Sequence, residues 1–331
     1  MSVPDAAWRD AADAIRSARE VALACHVGPD GDALGSMLAL ALALAKQSRP
    51  AVASWGGEPF VVPKHYAFLP GLDRLSKPEE VPAAPEVMVT FDCGTFDRLG
   101  SLEPNARAAA TLVVVDHHVA KEPFGTVNLV DPAAAASAVL TRRLIAELGV
   151  PLDREIATCL YTGLLTDTGS FKYRNTTPEV HALAGELLSH GVAHDEIARL
   201  VYDTHPLGYL SLLGVALGRV ELVPAASMIW TFVTTEDLER AGIGLEDTEA
   251  LIDVVRTAEE AEVACVLKQG PDATFKVSMR SKGLVNVGAV CESFGGGGHA
   301  LAAGFTAEGS DPRAIAAAVA SRLPGGAAAA P

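Results

Sequence analysis

Three short apolar runs, each ending in an ionisable residue, constrain this chain more than any other feature of its sequence. They are VALACH (Val21 to His26), VMVTFD (Val87 to Asp92) and LVVVD (Leu112 to Asp116). Each is too apolar for a strand with one wet face, so each fits a sheet buried on both sides. Helix-length segments separate them as far as about Asp167, the alternation that predicts parallel strands with helices packed on both faces. In open sheets of this kind ligands sit beyond the carboxyl ends of the strands, where His26, Asp92 and Asp116 would converge.

Helices are expected at about Ala33 to Lys46, Ala136 to Leu148, Asp153 to Leu165 and Pro178 to Ser189. The last has a clear start signal, with Thr177 as N-cap, Pro178 at the first helical position and Glu179 in the first turn. After His190 the pattern breaks around Gly191, Pro206 and Gly208. A new rhythm follows, in which GRVELV, SMIWTFV, EVACVLK and TFKVSMR read as strands of a second, mixed sheet. Helical segments are expected near Glu246 to Ala258, Val285 to Glu292 and Pro312 to Ser321. The expected fold class is therefore α/β. An N-terminal parallel-sheet domain with helices on both faces covers 1–190, and a linker covers 191–215. A smaller C-terminal α/β domain with a mixed sheet covers 216–322, and a disordered tail 323–331. At about 150 residues per domain, a chain of 331 residues fits two.

Composition narrows the partners. With 49% hydrophobic and 20% charged residues the chain is neither disordered nor collagen-like. Its formal charge of −15 removes long-range attraction to a polyanion, so duplex DNA is not an expected partner. A few well-placed Arg and Lys can still hold the phosphates of a short nucleotide. The five cysteines are widely spaced and form no CxxC pair, so they read as reduced core thiols. The segment Met1 to Glu20 has an amphipathic helical pattern with no apolar h-region, and the longest apolar run, Met37 to Ala45, falls far short of the ~20 residues that a bilayer span needs. A soluble, cytoplasmic protein without a membrane partner is expected.

Four strand or helix ends carry chemistry. His26, Asp30 and Asp32 lie in HVGPDGDALGS, directly after the first strand. The two aspartates there either face a ligand or cap the following helix, where acidic residues are favoured. Gly28, Gly31 and Gly35 are spaced wrongly for the dinucleotide fingerprint. Asp92 is either a turn residue or a ligand. Adjacent His117 and His118 after Asp116 resist explanation as core packing, because side chains alternate and one imidazole would face the wrong way. Asp167, in GLLTDTGSF, ends an apolar helix and opposes its dipole, a cost that a nearby cation would offset. Only carboxylates and imidazoles appear in this set, which suits Mn²⁺ or Mg²⁺ better than a structural zinc. So many anionic groups in one cleft would repel each other, and two cations would neutralise them.

In the second half, SFGGGGHALAAGF places Gly295 to Gly298 before His299. A glycine run is either a flexible linker or a loop whose backbone N–H groups approach an anion. The bracketing by Phe294 and AAGF favours the second. Arg280 and Lys282 in MRSKG end a predicted strand and either reach the same phosphate or sit in a solvated turn.

Taken in order, HVGPDGDALGS, VTFDCG, VVDHH, LLTDTGSF, MRSKG and FGGGGHALAAGF resemble the DHH phosphoesterase superfamily over about residues 10 to 310. The closest resemblance is to its two-domain branch of bifunctional oligoribonucleases and phosphoadenosine phosphatases, in which a DHH domain precedes a DHH-associated domain with a GGGH motif. The resemblance implies two divalent ions, Mn²⁺ or else Mg²⁺. His26 and Asp30 would bind one, and Asp32, His117 and Asp167 the other, with Asp92 bridging both. Asp116 would orient an imidazole, and His118 would face the scissile phosphate. Arg280, Ser281 and His299, with Gly296, Gly297 and Gly298, would hold the terminal phosphate or base. The implied activity is metal-dependent hydrolysis of a phosphoester. Short RNA oligomers, the linear dinucleotide pApA, 3′-phosphoadenosine 5′-phosphate and cyclic di-AMP are the substrates to consider, and the resemblance suggests a homodimer. A receptor that binds a nucleotide with the same metals but does not hydrolyse it is the alternative. No metal ligand of the family pattern is missing, which favours the enzyme.

Overall fold

The computed structural model describes residues 3–118, 123–270, 272 and 274–325. The chain divides into two compact units, Met1–Asp203 and Thr204–Pro331.

In the first unit a helix α1 (Asp5–Ser17) leads into strand β1 (Val21–Cys25), helix α2 (Gly31–Lys46) and strand β2 (Ala51–Trp55). Strand β3 (Val87–Phe91), helix α3 (Glu103–Ala108), and strands β4 (Thr111–Asp116) and β5 (Val127–Val130) follow. Four helices complete it: α4 (Ser137–Glu147), α5 (Arg154–Asp167), α6 (Pro178–Leu188) and α7 (His194–Tyr202). The five strands form an all-parallel sheet in the order β2-β1-β3-β4-β5. Its register aligns Cys25 with Phe91 and Phe91 with Val115. The next residues, His26, Asp92 and Asp116, therefore emerge side by side at one edge. The order also places a topological switch between β1 and β3, where the chain leaves the sheet in opposite directions and opens a crevice.

Apolar residues on both faces hold this sheet in place. Leu23, Val89 and Val113 pack with Trp8, Leu34, Leu38, Leu144 and Leu160 from α1, α2, α4 and α5. On the opposite face Ala22, Met88 and Val114 pack with Leu99, Leu102 and Ala106. Helix α2 has no charged residue between Asp32 and Lys46, and all of it from Gly31 to Leu44 is buried. It crosses α5 closely. A Cβ at Gly35 would stand 2.4 Å from the Cys159 carbonyl oxygen, and one at Gly163 would stand 2.6 Å from a carboxylate oxygen of Asp32.

The second unit opens with helix α8 (Leu207–Gly218), strands β6 (Glu221–Val223) and β7 (Met228–Val233), and helices α9 (Thr235–Ala241) and α10 (Leu251–Val255). Strands β8 (Val263–Gln269) and β9 (Phe275–Ser281), helix α11 (Val287–Glu292), strands β10 (Gly297–His299) and β11 (Ala302–Ala307), and helix α12 (Pro312–Arg322) complete it. The sheet order is β10-β11-β9-β8-β7-β6, with β7 and β8 parallel and the other neighbours antiparallel. Helices α11 and α12 cover one face, and α8, α9 and α10 pack over β7 and β8 on the other.

The α/β class, the parallel first sheet and the mixed second one are as expected. Strands β2 and β5, at the two edges of the first sheet, and β10 and β11 in the second are not among the strands that the sequence pattern marks, and β10 falls in the glycine run expected as a loop. The expected helix over 246–258 is shorter, with its regular α part confined to α10. Of the stretch expected as a linker, most is helical, because Ile197 and Leu212 each join an apolar core, and the division between units falls after Asp203. Residues 326–331 of the expected tail lie outside the described residues. Among the described residues no helix is long and apolar enough to cross a membrane.

Gly35→Ala should lower stability by about 1–3 kcal/mol, even though Ala is the better helix former, because the added methyl meets a backbone carbonyl that cannot move aside. Urea unfolding measures this, and a stabilised variant would show that the helix crossing is looser than described.

Candidate active site

In the loop after β1 the capping expected of these aspartates falls to Asp30 alone. Asp30 is the N-cap of α2, its Oδ1 accepting from the Asp32 and Ala33 N–H groups at 3.1 and 3.0 Å. Its other oxygen, Oδ2, lies 3.6 Å from His26 Nε2. Asp32 is wholly buried and accepts from the Ser137 and Ala138 N–H groups at the start of α4, at 2.5 and 2.9 Å, and from Ser36 Oγ at 3.2 Å. A carboxylate is favoured at that helix N-terminus.

Asp92 occupies the centre. It is 4% exposed and has a left-handed φ of 55°, a conformation that costs a non-glycine residue free energy. Its N–H donates to the Val115 carbonyl at 3.0 Å, which continues the β3–β4 pairing by one residue. Oδ2 lies 3.4 Å from His26 Nε2. Oδ1 lies 3.4 Å from both His117 Nε2 and His118 Nδ1, and accepts from Ser137 Oγ at 3.0 Å. His117 Nε2 also reaches Asp167 Oδ2 at 2.9 Å, and its Nδ1 lies 3.3 Å from the Ala134 carbonyl oxygen. Asp116 is 1% exposed, and its Oδ1 accepts from the backbone N–H of His118 at 3.1 Å and lies 2.7 Å from His118 Nδ1. The eight residues expected at this edge are thus brought together. Two further residues take part: Ser137, and Arg98, whose guanidinium lies 3.2 Å from His26 Nδ1. Ser137 sits in AAAASAVL and Arg98 in a single 3-10 turn, Phe96–Leu99, so neither had a pattern to mark it.

Crowding is written into the protonation of the cluster. Burial and repulsion by Asp167 and Asp92 push the Asp32 carboxyl well above the ordinary range. Burial, opposed by the hydrogen bond to His117, pushes Asp167 up to about 6. Burial opposes ionisation of Asp92 too, but bonds to His117 and His26 prevail and hold it well below the ordinary value. In the imidazoles burial disfavours the charged form, yet Asp30 and Asp92 raise His26 to about 10, and Asp167 and Asp92 raise His117 to about 12. Protonated imidazoles therefore balance the carboxylates. Among the described residues that lie wholly within the first unit, three donor sets, each with ligand atoms within 4.8 Å of one another, can hold an ion: His26, Asp30 and Asp92; Asp32, Asp92 and His117; and Asp92, Asp116 and His118. Asp92 belongs to all three. Asp116 Oδ2 is buried without a hydrogen-bond partner among the described residues, as expected where a positive charge is to be supplied. Oxygen and imidazole donors without thiolate fit a hard or borderline divalent cation.

In the second unit, register places His299 opposite Ala302 and Ala302 opposite Arg280, so the two basic side chains share one face of the sheet with a single strand between them. Ser281 is turned elsewhere, its hydroxyl donating to Glu262 at 2.7 Å. The glycines have a reason inside the sheet. A Cβ at Gly296 would meet the Gly304 carbonyl oxygen at 2.2 Å, and one at Gly298 the Ala302 carbonyl oxygen at 2.7 Å, while Gly297 faces open space.

The sequence matches the DHH family N-terminal domain over residues 20–164 and the DHHA1 domain over residues 229–323. It is 37% identical, over 87% of this chain and 84% of the relative, to a bifunctional oligoribonuclease and PAP phosphatase of Thermus thermophilus. The chain belongs to the DHH phosphoesterase family. Its similarity to the bifunctional oligoribonuclease and PAP phosphatase of Bacillus subtilis is 28% identity over 84% of this chain and 86% of that one. Among solved structures, an exopolyphosphatase-related protein from Bacteroides fragilis superposes with a TM-score of 0.87 at 25% identity, covering 95% of this chain and 94% of the other. The DHH phosphoesterase is thus a hydrolase, with its ionisable cluster at the carboxyl edge of the DHH sheet.

A divalent cation binds neutral imidazole and ionised carboxylate, so a cation held by this cluster would expel the protons that His26 and His117 hold at neutral pH. Calorimetry at neutral pH in buffers of different ionisation enthalpy should show proton release on adding Mn²⁺, with affinity rising between about pH 6 and 8. Binding that releases no protons and ignores pH would contradict this picture of the cluster.

Proposed function

We propose that this phosphoesterase hydrolyses short oligoribonucleotides, pApA among them, and 3′-phosphoadenosine 5′-phosphate, using two divalent cations, Mn²⁺ foremost. The observation that carries the reading is Asp92, a single buried carboxylate shared by adjacent donor sets. His26 and Asp30 would hold one ion with Asp92, and Asp32, His117 and Asp167 the other. Ions bound there supply Lewis-acid charge for water activation and for the phosphoryl oxygens.

The remaining steps belong to side chains of this chain. Asp116 accepts from His118 Nδ1, which leaves Nε2 as the ring nitrogen to meet substrate. Burial disfavours the imidazolium of His118, but the bond to Asp116 and the charge of Asp92 outweigh it and raise its pKa. In its protonated form His118 would be a proton and hydrogen-bond donor toward a phosphoryl oxygen or the leaving oxygen. Its side chain, 32% exposed where Asp92 is 3%, is able to reach a substrate. Ser137 fixes both Asp92 and Asp32, by its hydroxyl and its backbone N–H. In the DHHA1 unit Arg280 and His299 are suited to a terminal phosphate or base. The Ser281 hydroxyl is engaged by Glu262, so its part is to shape the turn after Arg280. The names of the Thermus and Bacillus relatives support the substrate class. All five cysteines are buried and free, which suits a reducing, cytoplasmic compartment.

The test is a hydrolysis panel with Mn²⁺: 3′-phosphoadenosine 5′-phosphate, pApA, cyclic di-AMP and RNA oligomers of two to about twenty nucleotides, run beside Asp92→Ala. Turnover of the short substrates should fall at least about 10³-fold in the variant, in line with the loss of a group that organises the charge at the reacting centre. Tight binding without turnover by the wild-type protein would instead support a nucleotide receptor.

A further inference from the structure

One face of the second sheet is left open by its helices. On β9, Phe275, Val277 and Met279 point into the core beneath α11 and α12, so Lys276, Ser278 and Arg280 point to the other side. Register extends that face: Lys276 pairs with Thr306, Ser278 with Gly304, and Arg280 with Ala302. Helices α8, α9 and α10 cover the β7 and β8 portion of this side. Among the described residues, the β9, β11 and β10 portion presents only Thr306, Gly304, Ala302, Ser278 and Gly297 between its basic side chains. It is a smooth strip with Arg280 and His299 at one end and exposed Lys276 at the other. Beside Lys276 in register stands Lys268, 2% exposed, its ammonium 2.6 Å from Glu249. Burial lowers its pKa, the charge and hydrogen bond of Glu249 oppose that, and the nearby charges of Arg280 and Lys276 add to the lowering, so Arg280 and Lys276 stand near an already paired lysine on a chain of net charge −15.

We infer that this strip is a track for the chain of an oligoribonucleotide, with Lys276 holding a phosphate beyond the nucleotide engaged at Arg280 and His299. The inference rests on the substrate reading above and refines it. Four strand residues separate Lys276 from Arg280 by about 13 Å at ~3.3 Å per residue. Side chains that stand off the sheet at that spacing would meet separate phosphates of one extended strand. Cations that follow the backbone, without base-specific donors, give binding that depends on length and salt and tolerates sequence. Lys276 is thus a specificity-determining residue that favours oligomers over dinucleotides and mononucleotides.

Lys276→Gln, and separately Thr306→Glu on the neighbouring strand, test this in the full-length protein with Mn²⁺. The readout is kcat/KM for a five-nucleotide RNA relative to that for pApA. In both variants this ratio should fall about five- to tenfold, through KM more than kcat, and the salt dependence for the five-nucleotide RNA should become shallower. Lys276→Arg should restore the ratio. An unchanged ratio in both variants, with the wild-type enzyme active on both substrates, overturns the track alone. Wild-type inactivity on every oligonucleotide overturns the substrate reading on which it rests.

Discussion

Carboxylates that cannot all ionise together are the constraint on which the rest of the first unit depends. Asp32, Asp92, Asp116 and Asp167 come from a helix start, two strand ends and a helix end, and the fold forces them into one low-dielectric volume. Left alone they would repel at several kcal/mol per close pair at an effective dielectric of ~20. Imidazolium charge on His26 and His117, the N-terminus of α4 and the hydroxyl of Ser137 offset this. The surrounding apolar packing fixes the positions. Because β1, β3 and β4 are in register, a shift of one strand would move its terminal side chain out of the cluster. The tight contact of Gly163 with Asp32 ties the crossing of α2 and α5 to the same point.

Much of this was legible in the sequence because the same residues obey two rules at once. VALACH, VMVTFD and LVVVD are apolar enough to define buried strands, and each ends in a side chain of the ionisable cluster, so element and candidate site are legible together. Asp30 shows why some alternatives stay open until side chains are seen: one oxygen caps α2 while the other faces His26, and capping and ligation are not rivals. Ser137 and Arg98 were illegible because their role comes from tertiary placement, with no local pattern to mark it. Edge strands β2 and β5 are short and only partly apolar, which blurs their periodicity.

The second unit gives the opposite lesson. Its glycine run is the most conspicuous feature of the sequence, and its glycines serve the β10–β11 pairing as well as any ligand, since neighbouring backbone fills the space of a Cβ at Gly296 and Gly298. The informative residues lie on β9, where alternation separates a core face of Phe275, Val277 and Met279 from an outward face of Lys276, Ser278 and Arg280. There, as in the first unit, sheet register decides which charges act together.

The central claim is that Asp92 is shared by two cations. Electron paramagnetic resonance of the Mn²⁺-loaded protein tests it directly. The account predicts two Mn²⁺ per chain with exchange-coupled spins, and loss of that coupling in Asp92→Asn. A single, magnetically isolated Mn²⁺ at saturation, or coupling that survives removal of the Asp92 carboxylate, would contradict it.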